Sequence, residues 1–392
     1  MRNTAASLAV LRSVADDPTP PIPDIARSPL CGGWAFSLSM SLNRQTLSAP
    51  SVGGGGSTGP YVTIYENASV TPQAALWTIV DGRVTQVGLD VRATTGTTAI
   101  TTGQGLTFDG DFDLSPIGAT LATFSSTNCV YGDFAPGTLA NLSSLYFSGC
   151  TFTTFDISGI QNQCGLSLVG CTIPSLTLTP AAIYNVVILQ GVYGNMVFTG
   201  CPNLNTISIN SDSPPTFGSI GCGDITVANS TTLTGVTIGG STATYGNVSI
   251  TGCTALQFVN LYSNSLSPAI PSFLSLNFSN CTAVTEISTF AGYEISTPSL
   301  NVSGCSALAT LSVPSATLTT VTLTTLPAAT TVGFQGCALN VASVNAILVA
   351  LDANGLSNGA VYLDLGTSAA PTGAGITAAA NLVSKGWTVA TN

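Results

Sequence analysis

LSSLYFSGCTF, residues 142–152, decides the fold. Its apolar residues Leu142, Leu145, Phe147, Cys150 and Phe152 spell LxxLxLxxCxL, and Leu145 and Phe147 alternate as on a strand with one inward face. The strand ends at a Gly, and a Cys follows. The same context returns as SLVGC, VFTGC, SITGC, NVSGC and GFQGC. Nine of the eleven cysteines recur at such strand ends, most of them after a Gly: Cys129, Cys150, Cys171, Cys201, Cys222, Cys253, Cys281, Cys305 and Cys337. The intervals from 129 to 150, 150 to 171 and 201 to 222 are each 21 residues. A Cys-less half follows each unit (FTTFDI, IPSLTL, LNTISI, LQFVNL, LATLSV), with the same xxLxL core.

Repeats of this length predict a solenoid. Each half-coil places a short strand with alternating inward residues, then a tight turn of Gly, Asn, Ser or Pro. Stacked coils pair each strand in parallel with its equivalent one coil later, and no coil buries its core alone. Two strands per coil predict a flattened tube with sheet on both sides, and no segment from 100 to 335 carries a 3.6-residue period. Leu145, Phe147, Leu168, Phe198, Ile250, Phe278, Val302 and Phe334 are the expected inward residues. The repeat cysteines are expected to form a ladder of reduced, buried thiols. Stacked in register they point the same way, whereas the Cβ vectors of a disulfide face one another. The intervals 171–201, 222–253 and 305–337 run 30 to 32 residues. Either a coil carries a ten-residue loop, or three half-coils intervene and the ladder switches faces.

The expected division is a Pro-rich extended arm at 1–30, a small antiparallel β module at 31–93 with a Gly/Ser loop at 49–60, the solenoid at 94–336, and an αβαβ cap at 337–392. Asp81-Gly82 lies between two alternating runs and predicts a hairpin turn. Val341 to Ala353 has apolar residues at 341, 344, 347, 348 and 351, a helical spacing, with Gly355 just beyond. A strand (VYLDL), a short helix near Thr377–Lys385 and a last strand (GWTVAT) follow. Such a cap covers the open strand edges of a solenoid.

Composition excludes more than it assigns. Charged residues make up 6% of the 392, against roughly 25% in ordinary soluble domains. No apolar run approaches the ~18 residues of a membrane span. Beyond position 93 the only base is Lys385, against eleven acids. Phosphate-backbone binding needs clustered Lys and Arg, so no nucleic-acid partner is expected. Ala5 to Leu11 is apolar, but Arg12 interrupts it, and no signal peptide is expected.

The chain has no histidine, which removes His-based nucleophilic catalysis and most zinc and iron sites. No CxxC occurs, so ligands within one coil are missing. Asp109, Asp111 and Asp113 (DGDFD) have the alternate spacing of calcium-loop ligands, without the sixth-position Gly and later Glu of an EF-hand; a solvated acidic turn is the reading adopted. A polysaccharide-degrading solenoid would need paired carboxylates, and the sparse acids Asp156, Asp212, Asp224, Glu286 and Glu294 do not recur one coil apart. No catalytic residue, metal or cofactor is therefore assigned.

The LxxLxLxxC units, the Gly-Cys turns and the tail CALNVASVNAILVALDANGLSNGAVYLDLGTSAAPTGAGITAAANLVSKGWTVATN (337–392) resemble leucine-rich-repeat proteins of bacteria and their phages. The resemblance covers roughly 129–392. It implies a mostly β fold, a right-handed parallel β-solenoid of leucine-rich-repeat type with a small α/β C-terminal cap, and no shared catalytic residues. The function it implies is non-enzymatic: a phage virion component such as a tail fibre, spike or head fibre whose solenoid contacts the host surface. The alternative is a bacterial surface or secreted repeat protein for adhesion or filaments. The expected localisation is the virion, or alternatively the cell surface or extracellular space. Expected partners are other virion or surface proteins through residues 1–93, a host glycan or protein along the repeats, and further copies of the chain in a homo-oligomer.

Overall fold

The computed structural model describes residues 61–66, 69–73, 78–80, 83–86, 97–103, 106–108, 112–115, 118–178, 182–210, 220–240, 243–262, 270–289 and 294–392. All of them belong to one compact unit, Gly56–Asn392. The arm, the loop at 49–60, Cys31, Asp109, Asp111 and Asp212 lie outside the described residues.

The fold is mostly β, with two helices, and solenoid-like: parallel strands form two stacks whose inward faces share one core. The first stack runs through Thr97–Gly103, Thr123–Thr127 and Ser144–Ser148 and on to Thr331–Gly333. The second runs through Val130–Phe134, Thr151–Phe155 and on to Thr320–Thr322. Cys164–Leu178 and Ile183–Thr199 are long enough to serve both stacks. In the first stack Leu145, Leu166, Val186 and Ile207 lie side by side at steps of 21, 20 and 21 residues. The eight residues expected inward are all buried. So are all five apolar residues of LSSLYFSGCTF.

Aromatic residues fill the early coils. Phe108, Tyr131 and Phe152 occupy one column, with ring centroids 4.5 and 5.1 Å apart, close to the 4.7–4.9 Å between paired strands. The column continues through Ile173, Tyr193, Cys222, Tyr245 and Phe273. Cys222 therefore stands inside a strand, in a column of large side chains, and not at a turn.

At the N-terminal side, Tyr61–Glu66 pairs antiparallel with Ser69–Gln73 and with Thr97–Gly103. Thr78–Val80 pairs antiparallel with Arg83–Gln86 across Asp81-Gly82, and Arg83–Gln86 pairs in parallel with Thr107–Phe108. The antiparallel strands thus share partners with the parallel stacks across residue 93 and cover their first edges.

At the other end the first stack adds Ala360–Tyr362 and Thr388–Ala390. Helix α1, Val341–Ala353, packs beside the last second-stack strand, and its Ser343 hydroxyl accepts from the Val321 amide at 3.0 Å. Asn340 caps α1 by accepting from the Ser343 amide, and Gly355 beyond its end has φ 73°. Val344, Ile347, Leu348 and Leu351 are buried; Val341, expected on the same face, is 41% exposed because it opens the first turn. Helix α2, Ala374–Ser384, begins three residues before the expected Thr377, directly after Pro371 and Gly373. No helix among the described residues is long and apolar enough to cross a membrane.

Candidate functional site

Eight of the nine repeat cysteines fall at two turns rather than one, and Cys222 at neither. Thr127, Ser148 and Val169 are register partners, which stacks Cys129, Cys150 and Cys171 two residues later, at the turn after the first stack. Cys201 follows the second stack instead. Thr199, Ala228 and Thr251 are register partners, so Cys201 shares its turn with Ser230 and Cys253. Asn277 pairs with Asn301, which adds Cys281 and Cys305. From 171 to 201, and again from 305 to 337, three half-coils intervene and the thiol changes faces. The first column stops at Gly191, which pairs with Cys171. A Cβ at Gly191 would lie 2.2 Å from the Cys171 carbonyl oxygen, so no side chain fits.

Why a thiol stands at these turns follows from two contacts. The residue before it takes a left-handed conformation: Asn128, Gly149, Gly170, Gly200, Asn229, Gly252, Asn280, Gly304 and Gly336 all have φ between 53° and 78°, a region open to Gly and tolerated by Asn. Where Asn occupies it, its side chain reaches toward the next coil, which then carries Gly. A Cβ at Gly149, Gly252 or Gly304 would come within 2.2–2.4 Å of Oδ1 of Asn128, Asn229 or Asn280. The thiol itself donates to a strand-end carbonyl of the preceding coil. Cys201 reaches Leu178 at 3.0 Å, Cys281 reaches Ile250 at 3.3 Å, Cys305 reaches Phe278 at 3.1 Å and Cys337 reaches Val313 at 3.5 Å. After the second stack the chain turns tightly, with the Leu204, Leu256, Val284 and Leu308 amides donating to the carbonyls of Cys201, Cys253, Cys281 and Cys305. The recurring C-x-x-L/V is that turn.

All ten described cysteines are buried free thiols. Burial pushes Cys201, Cys305 and Cys337 up to about 11, and Cys164 and Cys222 up to about 12. They stay protonated at neutral pH, and a protonated thiol is a poor nucleophile. The first column differs because hydroxyls surround it. Ser126 Oγ accepts from Thr102 at 2.9 Å and from Tyr131 at 2.8 Å. The Cys150 thiol lies 3.5 Å from Ser126 Oγ, and Cys129 lies 3.6 Å from Thr102 Oγ1. Alternating apolar residues did not announce this network; Thr102 and Ser126 sit at inward strand positions that the pattern reserves for aliphatic side chains.

The outward face of the first stack is uncharged along its middle column. Tyr146, Ser167, Val187, Ser208, Thr237, Asn260 and Ser288 lie side by side in register. The second stack carries a polar ladder instead. Asn195 Oδ1 accepts from the Asp224 amide, Asp224 Oδ1 accepts from the Asn247 amide at 2.7 Å and side chain at 3.0 Å, and Asn247 Oδ1 accepts from Ser275. The preceding Gly194, Gly223 and Gly246 let the coils approach, since a Cβ at Gly194 would lie 1.6 Å from the Pro174 oxygen. Asp156 holds a local turn by accepting from the Ser158 amide, and Glu286 accepts from the Ser288 hydroxyl within its strand. Comparison with protein-family models, with curated proteins and with solved structures found no match.

Proposed function

We propose that this chain is a non-enzymatic structural and adhesion protein, a component of a phage virion such as a tail fibre, spike or head fibre. In this reading the coils form a right-handed solenoid of leucine-rich-repeat type. The Pro-rich segment 1–30 and the strands up to 93 dock on the particle, and the repeats meet the host surface. The observation that supports it is the uncharged column from Tyr146 to Ser288, repeated at strand spacing on the outward face. An uncharged column of mixed side chains, five aliphatic or phenolic hydroxyls and one amide with Val187 among them, suits a neutral glycan or a protein surface and gives nothing to a polyanion. The absence of histidine, the turn contact of Asp156, the inter-coil contact of Asp224 and the in-strand contact of Glu286 fit a protein without catalysis.

The test uses the labelled full chain on a panel of bacterial strains. Binding should be confined to some strains and change little with salt. Ser167→Lys with Ser208→Lys should abolish it while leaving circular dichroism unchanged. Unchanged binding by that variant, or binding to no strain, overturns the adhesive reading. Deleting residues 1–30 should prevent incorporation into particles, and normal incorporation would overturn the docking assignment.

A further inference from the structure

We propose that the column Cys129–Cys150–Cys171 binds a soft monovalent d10 cation of the Cu(I) or Ag(I) class, held linearly between thiolates of adjacent coils. The sequence supplies no pair of ligands within a coil; the register supplies them across coils. A thiolate–metal bond of roughly 2.3 Å, taken twice in line, spans about 4.6 Å. Equivalent atoms of parallel strands stand ~4.7–4.9 Å apart, so two stacked sulfurs fit a two-coordinate ion with little movement. Thr127, Ser148 and Val169 are register partners, so the three thiols two residues later follow one another at that spacing. No group of three or more metal-ligating side chains is gathered among the described residues. The column therefore offers two ligands per gap, which suits a digonal soft ion and not a tetrahedral one.

The charge balances as follows. One cation enters, two thiol protons leave, and the gap keeps one net negative charge; no electron moves, since the metal arrives as the d10 ion. A buried negative charge needs donors. The first column has them: with Ser126 Oγ accepting from Thr102 and Tyr131, its own hydrogen is free to turn toward Cys150. Cys253, Cys281 and Cys305 stack in the same way, but their thiols donate to the carbonyls of Thr251, Ile250 and Phe278, with no side-chain hydroxyl bonded to them among the described residues. The first column is therefore the tighter site.

The experiment titrates Ag+, which is redox-inert here, into the folded full chain carrying Cys31→Ser. Native mass spectrometry reads stoichiometry, and thermal unfolding reads the state that binds. One equivalent should add one silver with loss of two protons and raise Tm. Cys150→Ser should remove that rise, Cys281→Ser should leave it, and Ser126→Ala should weaken binding at least tenfold, as supporting hydrogen bonds do around metals. If Cys150→Ser does not fold, Cys129→Ala with Cys171→Ala isolates Cys150 and should likewise lose the rise. A fall in Tm with Ag+ would mean binding by the unfolded chain and overturn the proposal. So would a rise that survives removal of the first column.

Discussion

Replacing Cys281 separates the roles given to the turn thiols. Its side chain is 0% exposed, and it donates to the Ile250 carbonyl at 3.3 Å. Cys281→Ala removes one buried heavy atom and leaves a small gap, a cost of about 1–2 kcal/mol. Losing a weak S–H donor to a buried carbonyl adds on the order of 0.5–1 kcal/mol. Cys281→Ser keeps a donor at the same place, and Ser230 already occupies that column two coils earlier, so about 1 kcal/mol is expected. Cys281→Asp buries a carboxylate with no cation near it and should cost more than ~4 kcal/mol. Urea unfolding reads the series: with a slope near ~3 kcal/mol/M, the Ala variant shifts the midpoint by roughly 0.5–1 M. Equal losses from Ala and Asp would refute the reasoning and point to a covalent or metal-bound sulfur. A Ser variant worse than Ala would show that the carbonyl contact does not select the residue.

Gly194→Ala should cost more than ~3 kcal/mol, since its Cβ would strike the Pro174 carbonyl; Gly200→Ala, with φ 68° and open space around it, should cost about 1–2 kcal/mol in the same assay. Leu365 has φ 62° and is 77% exposed, at the register position of Gly336, so Leu365→Gly should raise stability by about 1 kcal/mol. The Lys385 ammonium and the Asn381 amide hold the Asp352 carboxyl below its ordinary value. A depressed folded pKa gives stability that is present above the unfolded value near ~3.9 and lost as pH falls through the folded one. Asp352→Asn should therefore destabilise at pH 7 by on the order of 1 kcal/mol or less and by less still at pH 3, as denaturant midpoints at the two pH values would show.

The coil, the inward residues and the cap were legible because each rests on a local period. LxxLxLxxC gives the strand and its turn, and 341–353 gives α1. The sequence left open whether the thiol ladder switches faces; the structure shows that it does, and the reason it was not legible is physical. Both turns need a left-handed residue followed by a small buried one, so both write Gly-Cys or Asn-Cys, and local sequence does not say which stack preceded. The residues after the cysteine do: C-T-F and C-T-I enter the next strand at once, whereas C-P-N-L, C-T-A-L, C-T-A-V and C-S-A-L make the extra turn. Cys222 shares the Gly-Cys wording yet continues the column of Tyr193 and Tyr245, and only long-range register reveals that.

Function is less legible than fold for the same reason that the fold is legible at all. Inward positions repeat because every coil must fill the same space against its neighbours, at a packing density that penalises a methylene too many or too few. Outward positions meet no such demand, so Tyr146, Ser167, Val187 and Ser208 share a column without sharing a chemistry. The first thiol column breaks this division. Thr102, Ser126 and Tyr131 place three hydroxyls where apolar side chains would pack more simply, and all three are 0% exposed. A satisfied buried polar network fixes a unique register at the start of the stack, and that need alone would account for Thr102, Ser126 and Tyr131. The three thiols beside them are the small buried residues that the turn already calls for, so it is the hydroxyls that set this column apart. Thr102→Val with Ser126→Ala separates the two roles: a register role predicts loss of cooperative unfolding, whereas a ligand role predicts a folded chain that no longer responds to one equivalent of Ag+.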